Sequence, residues 1–375
     1  MLTTILTILA LPFIAGIPFM FFGKPKLPFK NFAAVQLFCF IITMIMYYSS
    51  YNHAVLDTEI WHGKITNKQK VSVSCEHSYS CNCRTEVRGS GKDTYFTTVC
   101  DTCYEHTEDF NWELNTDTGD TILVPRVDRQ GAYTPARWEQ SYVSEPVAIK
   151  KYFTNYIKAV PDTVLTRQVA SSPSSLPVPK PTQDIYDLYR VDKYITVGFT
   201  DENSHHWNWL LSNLNGTYGH SKQISVSVIA VKTNDTNYSY KLEAEWLGGK
   251  QNELIVLVGS PSPPNITWVK VISWTKNEKI KTNIKDKLLD IGTLNKRDEI
   301  IEEIENEIKL NWERRRMREF EYLMLDFQPS TGALFLTSII LTILSVFLYI
   351  TLPNGHYTQS GLKFTRRNFI RRAKF

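Results

Sequence analysis

The residues able to do chemistry concentrate between Cys75 and His106, in the stretch CEHSYSCNCRTEVRGSGKDTYFTTVCDTCYEH. Five of the six cysteines fall there, spaced C-x5-C-x-C-x16-C-x2-C, with His77 and His106 near the ends. Two short cysteine pairs separated by an excursion that carries Gly89 and Gly91 meet the needs of a small zinc ribbon. Each pair sits on a tight turn, and the excursion brings the turns together around one ion. The spacing predicts Cys81, Cys83, Cys100 and Cys103 as four thiolate ligands of a structural zinc, with Cys75, His77 and His106 as substitutes or outer groups. Two other readings stay open. The five cysteines are an odd number, so disulfides would leave one thiol over. A redox pair at Cys100 and Cys103 is disfavoured, because no βαβ pattern surrounds Cys100-Asp-Thr-Cys103. Five cysteines in 29 positions are too dense to be buried apolar fillers.

Three long apolar runs must position this stretch. Residues 1–23 carry no charged side chain and are long enough to cross about 30 Å of hydrocarbon, with Pro12 and Pro18 as kink sites. No basic residue precedes this run and no small-x-small site ends it, so a retained helix is expected rather than a signal peptide. Residues 32–51 form a second span, with closing tyrosines suited to an interface and Cys39 inside as a packing residue. The third span is 333–352. The 24–31 loop carries Lys24, Lys26 and Lys30; the 353–375 tail carries Lys363, Arg366, Arg367, Arg371, Arg372 and Lys374. Neither has an acidic residue, so both are expected in the cytoplasm, with the N-terminus and residues 52–330 on the other side. Those two segments hold nine of the 42 basic residues, leaving 33 against 38 acidic ones, a net of −5 for the rest. Nucleic acid is therefore not an expected partner.

Residues 52–160 alternate in short, aromatic-rich segments and read as a small β domain dependent on its metal. Phe110–Leu114 and Asp120–Val124, joined by Thr116-Asp117-Thr118-Gly119, read as a hairpin. Residues 161–183 are a Ser/Pro-rich linker or surface strap. Residues 184–328 mix strands (Tyr194–Phe199, Gln223–Val231, Leu254–Val258, Thr267–Trp274) with helices (Trp207–Leu214, Tyr238–Leu247, 279–290, 297–325), an α/β layered sheet. In the last helix, glutamates lead and Arg314, Arg315, Arg316 and Arg318 follow, reading as a solvated face that suits the helix dipole.

The run ISVSVIAV, YKLEAEWLGGKQNELIVLVG, ITWVKVIS and IIEEIENEI resembles the TPM domain, over roughly 184–325. That likeness implies an α/β domain held outside the membrane on flanking helices, and a role in assembling or maintaining membrane complexes. For some members it implies a phosphatase activity. The usual Asn-Asn-Gly of the turn is Gln251-Asn252-Glu253 here, which removes the support for a family calcium or phosphatase site. The layout, with H-S-Y-x-C-x-C and C-x-x-C-Y-x-H, is also similar to membrane proteins of tailed bacteriophages. None of the common catalytic motifs (G-x-S-x-G, H-E-x-x-H, a P-loop, a Rossmann glycine pattern) occurs. His205-His206 is expected to be a solvated turn, and Asp201-Glu202 a helix-start cap.

These readings predict an α+β membrane protein: three transmembrane helices, two N-terminal and one C-terminal, flank a small β-rich zinc-ribbon-like domain and an α/β TPM-like domain. The expected role is non-enzymatic, contacting a membrane or envelope protein, with membrane lipid around the spans. The alternative is an extracytoplasmic phosphatase-like hydrolase.

Overall fold

The computed structural model describes residues 2–23, 27–89, 94–160, 176–181 and 183–351. Lys24, Lys26, Gly91 and the basic residues of 353–375 lie outside them. The chain divides into two compact units.

The helical unit comprises Met1–Leu56, Asn155–Val160 and Phe320–Phe375. Its long helices are α1 (Leu2–Phe21), α2 (Phe29–Val55) and, last in the chain, α9 (Thr331–Thr351). Each is long and apolar enough to cross a membrane. Ile8, Phe32, Val35, Cys39, Leu341 and Tyr349 form their shared core, while Phe13, Ile14, Leu37, Ile45, Ile343 and Phe347 face outward. An apolar exterior around a small core is what lipid selects. Gln36 donates to the Tyr349 hydroxyl, so the polar side chain between the helices is satisfied.

The larger unit is Asp57–Thr154 with Pro161–Glu319. The described parts of 57–154 and 184–319 therefore share one unit. Its first sheet has strand order β5-β4-β1-β6. These strands are β1 (Leu56–Val73), β4 (Asp109–Thr116), β5 (Thr121–Val124) and β6 (Pro146–Thr154). β4 pairs antiparallel with β1 and β5, and the expected 110–124 hairpin turns at Gly119, whose φ is +80°. Between β1 and β4 rises a separate two-stranded hairpin, β2 (Ser78–Arg88) with β3 (Tyr95–Tyr104). Short helices α3 (Ala136–Gln140) and α4 (Tyr156–Ala159) flank β6 in sequence.

The second sheet, in order β10-β9-β8-β7, is built from β7 (Tyr194–Val197), β8 (Ser225–Val231), β9 (Glu253–Gly259) and β10 (Trp268–Ser273). β7, β8 and β9 run parallel; β10 is antiparallel to β9. Every residue of β8 and β9 is buried. Side chains alternate across a strand, so Val226, Val228, Leu254 and Val256 join one core while Ile229, Val231, Ile255 and Leu257 join the other. The first core is completed by α5 (Ser204–Lys222), α7 (Lys279–Ile291) and α8 (Arg297–Asn311), the second by α6 (Asn237–Glu245). Leu176 and Val178 pack on that second core, and the Pro177 and Pro179 carbonyls accept from Tyr238 and Trp246.

One expected helix is shorter than its sequence reading. The 297–325 helix ends at Asn311, and a 3-10 segment, Met317–Asp326, follows. The break turns Arg314 inward, where its Nη2 donates to Glu59 Oε1 at 2.7 Å and to Gln251 Oε1 at 2.9 Å. Arg314 is thus a partner of the buried Glu59, not part of a solvated face.

Candidate metal centre

The hairpin β2/β3 has no buried residue. Its register shifts between Cys81 and Arg84, where Asn82 takes a φ of +48°, so residues 82 and 83 bulge against the opposite strand. The bulge aligns two cross-strand disulfides, Cys81–Cys103 and Cys83–Cys100. This corrects the zinc-ribbon reading: the four predicted ligands Cys81, Cys83, Cys100 and Cys103 are bonded to one another, and a disulfide sulfur has no thiolate to offer a metal. Cys100 and Cys103 each bond to β2 instead of to each other, so the C-x-x-C pair is not a unit. Two-stranded ribbons are marginal alone. The inner bridge, closing a loop of 17 residues, contributes about 3 kcal/mol on loop-entropy grounds, and the outer bridge, nested around it, adds less.

The residues placed as substitutes come together. Cys75 and His77 lie on the chain entering the hairpin, His106 and Asp109 on the chain leaving it. Their four ligand atoms all lie within 4.8 Å of one another. Cys75 is 6% exposed, Asp109 fully buried, and the two histidines half-buried. Cys75 Sγ is 3.7 Å from His106 Nδ1, which is 3.0 Å from Asp109 Oδ1. His77 Nδ1 is 3.3 Å from Asp109 Oδ2 and, although buried, makes no hydrogen bond. Asp109 Oδ2 also accepts from the Glu76 N–H at 3.2 Å and from Arg126 Nη1 at 3.3 Å. Burial pushes the Asp109 carboxyl up, but the Glu76 amide, His106, Cys75 and His77 outweigh it and hold the group below its ordinary value. An ionised carboxylate, a thiol and two imidazoles facing one point could bind a metal ion. Arg126, which also donates to Asn111 at 2.6 Å, braces the outer carboxylate oxygen in the way outer groups orient metal ligands.

Sequence reasoning missed Asp109. Its signal was the mirror of C-x-H at 75–77, an H-x2-D at 106–109 on the far side of the hairpin. Free cysteines among the described residues are Cys75 and Cys39, the latter buried among the helices as expected.

The other singled-out residues serve structure. His206 Nδ1 accepts from Arg297 at 2.9 Å, and His205 is exposed one position away on α5. Asp201 Oδ1 accepts the Asn203 N–H in the turn before α5 and its Oδ2 accepts from the Tyr194 hydroxyl; no side chain caps the start of α5, so the expected capping role is not met. At the turn where the family pattern departs, Gln251 donates to the Arg315 carbonyl, Asn252 to the Ile60 carbonyl, and Glu253 Oε2 accepts from the Lys250 N–H. Asn252 ties the two sheets, Glu253 closes the turn, and Gln251 holds the segment after α8. Beside them, His62 Nε2 meets Ser225 Oγ at 3.0 Å, and Lys193 Nζ lies 3.9 Å from Glu253 Oε1, all four residues buried. No protein-family model matches the chain, and neither a curated protein nor a solved structure matches it.

Proposed function

We propose that this chain is a membrane-anchored, non-enzymatic contact or assembly protein whose larger unit faces the extracytoplasmic side, with zinc as a structural cofactor. The observation that carries the reading is the hairpin. It is stapled by two disulfides, has no residue in a core, and exposes Tyr79, Val87, Tyr95, Phe96 and Tyr104. Aromatic side chains held rigid in water are typical anchors of protein interfaces. Disulfides favour an oxidising compartment, in line with the orientation expected from the lysines of the first loop. The partner class is a membrane or envelope protein, with lipid around the three helices.

Zinc suits the ligand set because it takes thiolate, imidazole and carboxylate at tetrahedral geometry, with neighbouring ligands about 3.3–3.8 Å apart. Small inward movements of the four side chains reach that spacing. The TPM-like reading of 184–328, within a phage-type layout, belongs to the same proposal and is supported by the order β8, α6, β9, β10. A photo-crosslinking amino acid at Phe96 is expected to capture a discrete membrane partner in the native membrane, whereas one at exposed Glu302 on α8 does not. Equal or absent capture at both sites sinks the contact role. The same purified protein is expected to show no turnover of generic phosphoesters with or without divalent ions, and turnover would revive the hydrolase alternative.

A further inference from the structure

α5 is unusual in its exposed face. From Asn203 to Ser221 it carries no lysine, arginine, aspartate or glutamate, although solvated helix faces are normally charged. His205, Asn208, Trp209, Ser212 and Asn213, at helical spacing i, i+3, i+4, i+7 and i+8, share one side of it. That side lines a cleft of about 350 Å³, which Tyr142 and Tyr186 also line. Trp209, Tyr142 and Tyr186 are 58%, 58% and 49% exposed.

The charged groups of the cleft already have partners. Arg190 bonds Glu145 at 3.0 Å and Asp187 at 3.3 Å, and Asp192 accepts from the Tyr186 hydroxyl at 2.9 Å. Apart from the Tyr186 hydroxyl and the Asn208 oxygen, the uncharged side-chain groups do not. Among the described residues, the side chains of Ser212, Asn213 and His205, the Tyr142 hydroxyl and the Trp209 indole N–H make no hydrogen bond. Asn208 Oδ1 accepts the N–H groups of Lys193 and Tyr194, both at 2.8 Å, which fixes the amide so that its NH2 group is the free end.

We propose that this cleft binds a saccharide. Sugar rings present C–H faces that lie on aromatic rings and hydroxyls that pair with neutral amides and hydroxyls, and both kinds of group line these walls. Arg190, the one lysine or arginine in the cleft lining, is paired with Glu145 and Asp187, so nothing there selects a phosphate or a carboxylate. A proline-rich peptide would also use the aromatic rings but would leave the amide and hydroxyl donors unmatched. The volume sits at the low end of ligand sites of about 300–1,000 Å³, which suits about one or two sugar rings.

The test uses the full-length protein in detergent, titrated with chitotetraose and maltotetraose and followed by saturation-transfer NMR. At least one sugar is expected to bind saturably. Trp209→Ala and Asn213→Ala are each expected to weaken binding about tenfold with unchanged thermal melting. Absence of saturable binding by folded wild type, sugar affinity unmoved in both variants, or binding of a proline-rich decapeptide in place of the sugars would each overturn the proposal. Phe96→Ala on the hairpin is expected to leave sugar binding intact, which separates this site from the contact role.

Discussion

At the scale of single residues, two groups decide the behaviour of the larger unit. Cys75→Ser is expected to abolish zinc binding, read as metal content of protein purified without chelator. Arg126→Gln, which removes the charged donor to Asp109 Oδ2 and leaves that oxygen the Glu76 N–H, should weaken zinc about 10–100-fold. The double change Cys81→Ser with Cys103→Ser should leave one zinc per chain, whereas the ribbon pairing first read from the spacing requires its loss. His62 is the second group. Burial, and then the Lys193 charge, hold its pKa well below the ordinary value, so it is neutral in the fold. The unfolded chain therefore binds the proton first: the stability His62 contributes is full above about pH 6.5 and is lost as pH falls below it. Chemical denaturation at pH 8 and pH 5.5 should accordingly show a larger loss in wild type than in His62→Gln. Which cysteines would bind metal was not legible in the spacing, because a disulfide ladder and a ribbon need the same short intervals. What separates them is the hairpin register and its bulge at residues 82 and 83, which no cysteine encodes.

At the scale of elements, the pairing of α5 with β1 depends on small residues. A Cβ added at Gly219 would lie 2.4 Å from His62 Cβ and 2.6 Å from the His62 carbonyl oxygen, and at Gly216 3.3 Å from the Gly63 oxygen. Gly219→Ala is expected to destabilise the unit by about 1–3 kcal/mol, despite the ~1 kcal/mol that alanine gains over glycine inside a helix. The measurement is the denaturation midpoint of purified protein. Reduction of the two disulfides should raise amide exchange across β2 and β3 while β8 and β9 keep their protection, because the hairpin shares no core with them. Strands and helices of the second sheet were legible from β-branched runs and helix spacing. The end of α8 was not: its charge pattern continues past Asn311, and Arg314 beyond the break pairs with the buried Glu59, 255 positions away.

At the scale of the whole molecule, the three apolar helices were the plainest message of the sequence, since a span needs only length and the absence of charge. Their expected orientation puts the larger unit outside. Protease added to sealed, right-side-out membranes should cut within Asp57–Glu319, or leave only a disulfide-linked core, and protection of the entire unit would reverse the topology. The helical unit also has a timetable. Gln36 and Tyr349, which meet in its core, are 313 residues apart. At about 5–20 residues per second, α1 and α2 wait on the order of 15–60 s for α9 to be made. During that interval the Gln36 amide and the side chains around Cys39 have no α9 to pack on, so an insertion factor or another helix able to cover them can compete for the seam while the larger unit is being synthesised.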